Sequence, residues 1–128
     1  MQNNLNLASL AALAGLHAST QAISIGFGQQ IIEHGGNKCL EWTTWVHGES
    51  ACPEAHDLTA QQNDPCNIEF SHWGTTFKFL DCSSDNIPGA VIDVTHPDVE
   101  VSCSSSNDKK VHCHGDQHDI IQKVQCVD

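Results

Sequence analysis

The sequence predicts a mainly β fold of β-rich α+β class: a compact antiparallel sheet or sandwich of hairpins with one short helix, stapled by disulfides. Three observations carry this prediction. From Asn67 onward apolar and polar residues alternate with period two, the mark of half-buried strands. Glycine, proline, asparagine and aspartate cluster between the alternating runs, where turns need them. Seven cysteines, Cys39, Cys52, Cys66, Cys82, Cys103, Cys113 and Cys126, are scattered singly rather than in C-x-x-C pairs. In a short secreted chain that spacing reads as a disulfide framework compensating for a small core.

Taken in order, residues 1–22 read as a secretory signal peptide. An apolar run from Leu5 to Leu16 is too short to span a bilayer, and small residues lead to Ala22. Cleavage after Ala22 leaves residues 23–128 as a single small disulfide-rich β domain, soluble and extracellular, with no membrane insertion. "ISIGFGQQIIEHGG" (23–36) and "CLEWTTWVHG" (39–48) are strand candidates with weaker alternation. Trp42 and Trp45 cannot share a face of a regular strand, so one of them is expected in the core. "CPEAHDLTAQQ" (52–62) is the helix candidate, with Pro53 suited to the first helical position and acidic residues in the first turn.

The stretch "CNIEFSHWGTTFKFLDC" (66–82) predicts a tight hairpin. With Trp73-Gly74 as a two-residue turn, His72 faces Thr75, Phe70 faces Phe77, Glu69 faces Lys78 and Ile68 faces Phe79. That register puts aromatics on one face and an opposite-charge pair on the other. "AVIDVTH" (90–96) follows the turn signal "NIPG". "VEVSCSSSNDKKVHCHG" (99–115) reads as a second hairpin, with Asn107 to Lys109 as its loop and Cys103 opposite Cys113. Val99, Val101, Cys103, Val111 and Cys113 would then share a face. "DIIQKVQCV" (119–127) is the closing strand.

Charge excludes several functions. Sixteen acidic residues face five lysines and no arginine, a net charge of −11. Binding to nucleic acid or to an anionic membrane through a basic face is therefore not expected. Near pH 5.5, protonation of most histidines would bring the mature net charge to roughly −4. No Asn-x-Ser/Thr sequon occurs, so N-glycans should not mask the surface.

His112, His114 and His118 crowd around Cys113. On a strand His112 and His114 project from one face, where two imidazoles can converge on one ion at ~2.0–2.1 Å. His118 could add a third ligand and Asp116 a fourth, a set suited to zinc or copper. The competing reading is a solvated polar face with Cys113 in a disulfide, and it is the expected one. No cofactor is expected beyond that zinc or copper alternative. Catalytic readings fare worse. "CPEAHDL" is similar to the Cys-x-x-His-Asp helix of small secreted phospholipases A2, but the spacing is one residue too long and the second amphipathic helix is missing. Guanyl-specific ribonuclease chemistry needs a His/Glu pair and an arginine to stabilise the phosphorane, and this chain has no arginine and no tyrosine to support the site. An N-terminal copper-binding histidine would require a cut after Leu16, and no Gly-x-Ser-x-Gly elbow or phosphate loop is present. Trp73, at a hairpin tip, is instead the candidate partner contact.

The leader, the short mature chain, the scattered cysteines and a last cysteine two residues from the end in "CVD" together resemble the small secreted cysteine-rich proteins of filamentous fungi, an effector-like and killer-toxin-like class. The resemblance spans the whole chain without a diagnostic motif. It implies a secreted, non-enzymatic virulence effector that binds a protein partner, either a host protein or a second effector, through an acidic β-surface. The odd cysteine would permit a disulfide-linked or non-covalent dimer. A secreted metal-binding protein using His112, His114 and His118 is the alternative, and a small secreted hydrolase ranks last.

Overall fold

The computed structural model describes residues 22–128, so the leader expected at residues 1–22 lies, except for Ala22, outside the described residues. Eight strands and one helical turn follow in order: β1 (Ser24–His34), β2 (Asn37–Val46), α1 (Ala51–Glu54), β3 (His56–Ala60), β4 (Phe70–His72), β5 (Thr75–Leu80), β6 (Ala90–Asp93), β7 (Val101–Val111) and β8 (Ile120–Val127). All pairings are antiparallel, and the strand order is β3-β2-β1-β8-β7-β6-β5-β4. The mainly β fold is therefore as predicted.

β7 is the corner of the sheet. Its first two residues pair with β6, and the rest of the strand pairs with β8, with a bulge between Ser105 and Lys109. The sheet folds over at that corner so that inward residues of the two halves meet. Phe27 of β1 lies edge-on to Phe79 of β5 with ring centroids 5.0 Å apart, and it stacks on Trp42 of β2 at 4.9 Å. Ile23, Ile25, Cys66, Phe70, Phe77, Val91, Val101, Val124 and Cys126 complete this main core. Because folding over carries the two outermost strands toward each other, His56 of β3 comes within 5.9 Å of His72 of β4, ring to ring.

Both indoles of β2 are buried, on opposite faces, where only one was expected inside. Trp42 belongs to the main core, whereas Trp45 packs with Ala51 and Ile120 in a second cluster on the other face. The helical turn and the Val111–Cys113 segment cover that second face, which is why β2 has no solvated side here. Trp45 lies across Gly26: a β-carbon at Gly26 would fall 2.4 Å from its ring. The indole occupies the space a side chain would need. A bulge sets the strand contact next to it, since the β1–β8 register passes from Phe27↔Val124 to Gly28↔Gln122 and skips Lys123. Ile120 and Val124 consequently end in different clusters.

The hairpin around Trp73-Gly74 has the expected register, with Phe70 opposite Phe77 and His72 opposite Thr75. Both turn residues have positive φ, 53° at Trp73 and 82° at Gly74, as a two-residue turn between twisted strands requires. The ladder stops at Phe70, however. Ile68 and Glu69 are outside the strand, and Asn67, at φ 68°, donates its N–H to Phe79 O. The Ile68–Phe79 and Glu69–Lys78 pairings do not form as ladder pairs because this left-handed residue turns the chain away.

Two other expectations are corrected. The helix predicted over 52–62 is one turn, Ala51–Glu54, and His56–Ala60 is a strand on the outer edge of β2. Ladder bonds to an otherwise unpaired edge, with the Thr43 hydroxyl donating to His56 O at 3.1 Å, outweigh a helix preference of a few tenths of a kcal/mol per residue. The second predicted hairpin is a single strand. Asn107 and Asp108 do take positive φ, as residues that tolerate the left-handed region do, yet they form a bulge within β7 instead of a turn. Cys103 therefore faces Cys126 of β8 and not Cys113, and Val99 is 53% exposed instead of sharing a buried face.

Candidate functional site

Disulfides organise the functional surface. Cys103 bonds Cys126 across neighbouring strands, Cys66 bonds Cys82 beside the β4–β5 hairpin, and Cys52 bonds Cys113. Cys39 is the remaining thiol among the described residues and is exposed on β2. Three bridges with one cysteine over is the arithmetic expected of seven.

The Cys52–Cys113 bond fixes the histidine-rich segment, which is a loop after β7 and not an extended strand. Gln117 donates to Cys52 O at 2.9 Å, and Gln30 donates to His118 O at 2.8 Å. Asp119 accepts the Cys113 N–H at 3.0 Å and lies 3.1 Å from His112 Nδ1. The Cys113 N–H, with the His112 imidazole as a further cause, holds the Asp119 carboxyl below the usual carboxylate range. His118 turns the other way, with Nε2 2.7 Å from Glu33 Oε2, and that hydrogen bond lowers the Glu33 carboxyl. His114 is exposed. The three imidazoles are thus not gathered into one ligand set. Asp64, Cys66 and Cys82 are the one place among the described residues where three potential ligand atoms lie within 4.8 Å, and those two sulfurs are already bonded to each other. A cavity of about 650 Å³ beside His118 is lined by Gln30, Glu33, Asp116 and Gln117, and its one imidazole is already paired with Glu33.

Trp73 stands where the sequence put it. Its side chain is 70% exposed, the most exposed of the large apolar residues, while Phe70 and Phe77 beneath it are 7% and 8% exposed. The tip is held from below by this buried pair and by a hydroxyl contact, Ser71 to Thr76 at 3.0 Å, across the same two strands. An indole on a braced turn presents a large contact area at low entropic cost.

Among the described residues two buried side-chain polar atoms have no partner. Gln30, Thr43, Thr44 and Gln122 are buried and hydrogen-bonded. Trp42 Nε1 and His72 Nε2 are buried without an acceptor or donor opposite. Sequence reading passed over both, since orphaned atoms leave no local signature. Burial is the first cause of a lowered His72 pKa, and the neighbouring His56 adds to it. The consequence for stability has a definite sign. Unfolded His72 binds a proton near pH ~6.5 and folded His72 only below that. Between the two values the unfolded state holds more protons, so stability is full above about pH 6.5 and falls as pH drops toward the folded value. Urea midpoints of the wild type should decline between pH 7.5 and 5, and His72→Phe, which packs against Phe70 and Phe77 without titrating, should flatten that decline. An equal slope in both proteins would show that other groups set it.

Trp42 lines a separate cleft of about 610 Å³ together with polar side chains from five other segments. Among the described residues no helix is long and apolar enough to cross a membrane. No protein-family model, curated protein or solved structure matches this chain.

Proposed function

We propose that the protein is a secreted, non-enzymatic, effector-like binding protein that presents an acidic β-surface to a protein partner, with Trp73 at the centre of the contact. The exposed indole at the braced hairpin tip carries the reading, because water-exposed tryptophan on a rigid turn is costly unless it is covered in use. A net charge of −11 favours a basic partner and steers it by long-range attraction. Three disulfides are consistent with an oxidising, extracellular setting. The effector-like assignment and the host or second-effector partner rest on the resemblance to fungal secreted cysteine-rich proteins.

Two measurements test this. Material recovered from culture medium should begin at Ile23; a secreted form that keeps residues 1–22 would overturn the leader and the compartment together. In the folded chain the Ile23 backbone nitrogen is 3.2 Å from Asp128 Oδ2, so cleavage after Ala22 would set the new α-ammonium against that carboxylate. Against a partner identified by crosslinking and then purified, Trp73→Ala should weaken binding by at least about thirtyfold, the ~2 kcal/mol of a hot spot, and leave the urea midpoint within error of wild type. Rising salt should weaken wild-type binding as well. A Trp73→Ala protein that binds like wild type sinks the proposed contact.

A further inference from the structure

The cleft that includes Trp42 has a chemistry the hairpin-tip contact does not use. It lies over interior strands, with Gln29 on β1, Ser105 and Asp108 on β7, and Lys123 and Val124 on β8. Gln61 and Gln62, after β3, form one rim, and Ser84 to Ile87, between β5 and β6, form the other. We propose that this cleft binds a short neutral oligosaccharide.

Four primary amides, Gln29, Gln61, Gln62 and Asn86, converge on the cleft from three separate segments. Each offers two N–H donors and a carbonyl acceptor, which matches hydroxyl groups that both donate and accept. Anions are disfavoured. The one lysine of the lining, Lys123, is already held by Asp108 at 2.8 Å, while Asp85 carries an uncompensated charge in a chain of net −11. A peptide strand is also disfavoured over the cleft floor, because β1 at Gln29 and β8 at Val124 are paired on both sides and leave no sheet edge there for strand addition. The volume falls in the range of small-molecule sites, and Trp42, Ile87 and Val124 supply apolar contact of the limited extent that sugar C–H faces need.

The second, independent observation is the orphaned donor. Trp42 is 2% exposed, and its indole N–H is buried with no acceptor. Its ring is fixed by stacking on Phe27, so the donor cannot swing to find one. A buried polar group left unpaired is rare and calls for a partner, which a water or a ligand hydroxyl can supply. Gln61 and Gln62 are exposed, and rotation of such side chains takes picoseconds to nanoseconds, so this rim can adjust to a ligand in the cleft.

The test is a nuclear magnetic resonance titration of the isotope-labelled protein with cellotriose, mannotriose and maltotriose, each up to about 10 mM, and with trigalacturonate as an anionic comparator. The indole N–H signals of Trp42, Trp45 and Trp73 are read separately. With at least one neutral sugar, the Trp42 indole and the backbone amides of residues 61, 62 and 84–87 should shift saturably while Trp73 stays in place. Gln29→Ala and Gln62→Ala should each weaken that binding by about fivefold, as loss of a neutral hydrogen bond does, and Trp73→Ala should leave it unchanged. Absence of saturation with all three neutral sugars overturns the proposal. So do shifts confined to Trp73, trigalacturonate bound as tightly as the neutral sugars, or dissociation constants unaltered in both glutamine variants. The site is separate from the hairpin tip, so failure here leaves the partner contact at Trp73 standing, and the reverse also holds.

Discussion

Replacing Cys52 and Cys113 together by alanine is expected to destabilise the protein by about 4 kcal/mol, more than loss of either other bridge. The bridges close different lengths of chain: 61 residues for Cys52–Cys113, 16 for Cys66–Cys82 and 23 for Cys103–Cys126. Loop-closure entropy grows with the logarithm of that length, so the two shorter bridges should be worth about 3 kcal/mol each. Position adds to the difference. Cys113 and Ala55 pack over the cluster of Trp45, Ala51 and Ile120, and the Cys52–Cys113 bond is what holds the helical turn and the 112–118 loop together there. Opening it should uncover the outer face of β2 as well as relax the unfolded chain. Against a total stability of about 5–15 kcal/mol for a domain, the loss is large. Urea unfolding of the three double-alanine variants under non-reducing conditions gives the order directly. A Cys66→Ala/Cys82→Ala variant less stable than Cys52→Ala/Cys113→Ala would mean that native packing, not chain length, decides.

What the sequence made legible follows the range of the interactions involved. The β4–β5 hairpin was readable because its register depends on eight consecutive residues and one glycine-containing turn. The closing strand was readable for the same reason, with alternate residues buried along β8. The strand at 56–60 was not, since a Pro-Glu start resembles a helix and nothing local reveals that β2 offers a free edge. Asn107 and Asp108 were read as part of a hairpin loop, but a bulge and a turn use the same residue types, and only the β8 partner distinguishes them. Cysteine pairing had no local signature at all. Facing Cys103 with Cys113 was a consequence of the misread hairpin, and correcting the strand moves both partners at once. The histidine cluster shows the same limit: proximity in sequence placed three imidazoles together, while Asp119 and Glu33 draw two of them apart. Trp73 was legible as a tip; the cleft beside Trp42 was not, because its lining comes from six segments.

The second large effect is expected at Phe27, where Phe27→Ala should cost ~3–5 kcal/mol. Phe27 is fully buried and touches rings from both halves of the folded sheet, Trp42 of β2 and Phe79 of β5. Phe79 is equally buried and continues the contact to Phe70 at 5.0 Å, so the four rings form one chain through the core. Phe79→Ala should therefore cost the same ~3–5 kcal/mol, and Phe70→Ala or Phe77→Ala should approach that range from the hairpin side. The two central deletions should not simply add. Rings packed edge to face couple by about 0.5–1.5 kcal/mol beyond the area they bury, and a cavity left by one ring is shared by its neighbour. A double-mutant cycle on Phe27 and Phe79, read by urea unfolding, should return a coupling of that size. Strict additivity would mean that the β1–β2 and β4–β5 halves do not meet through these rings, and the folded-over sheet would have to close by another contact.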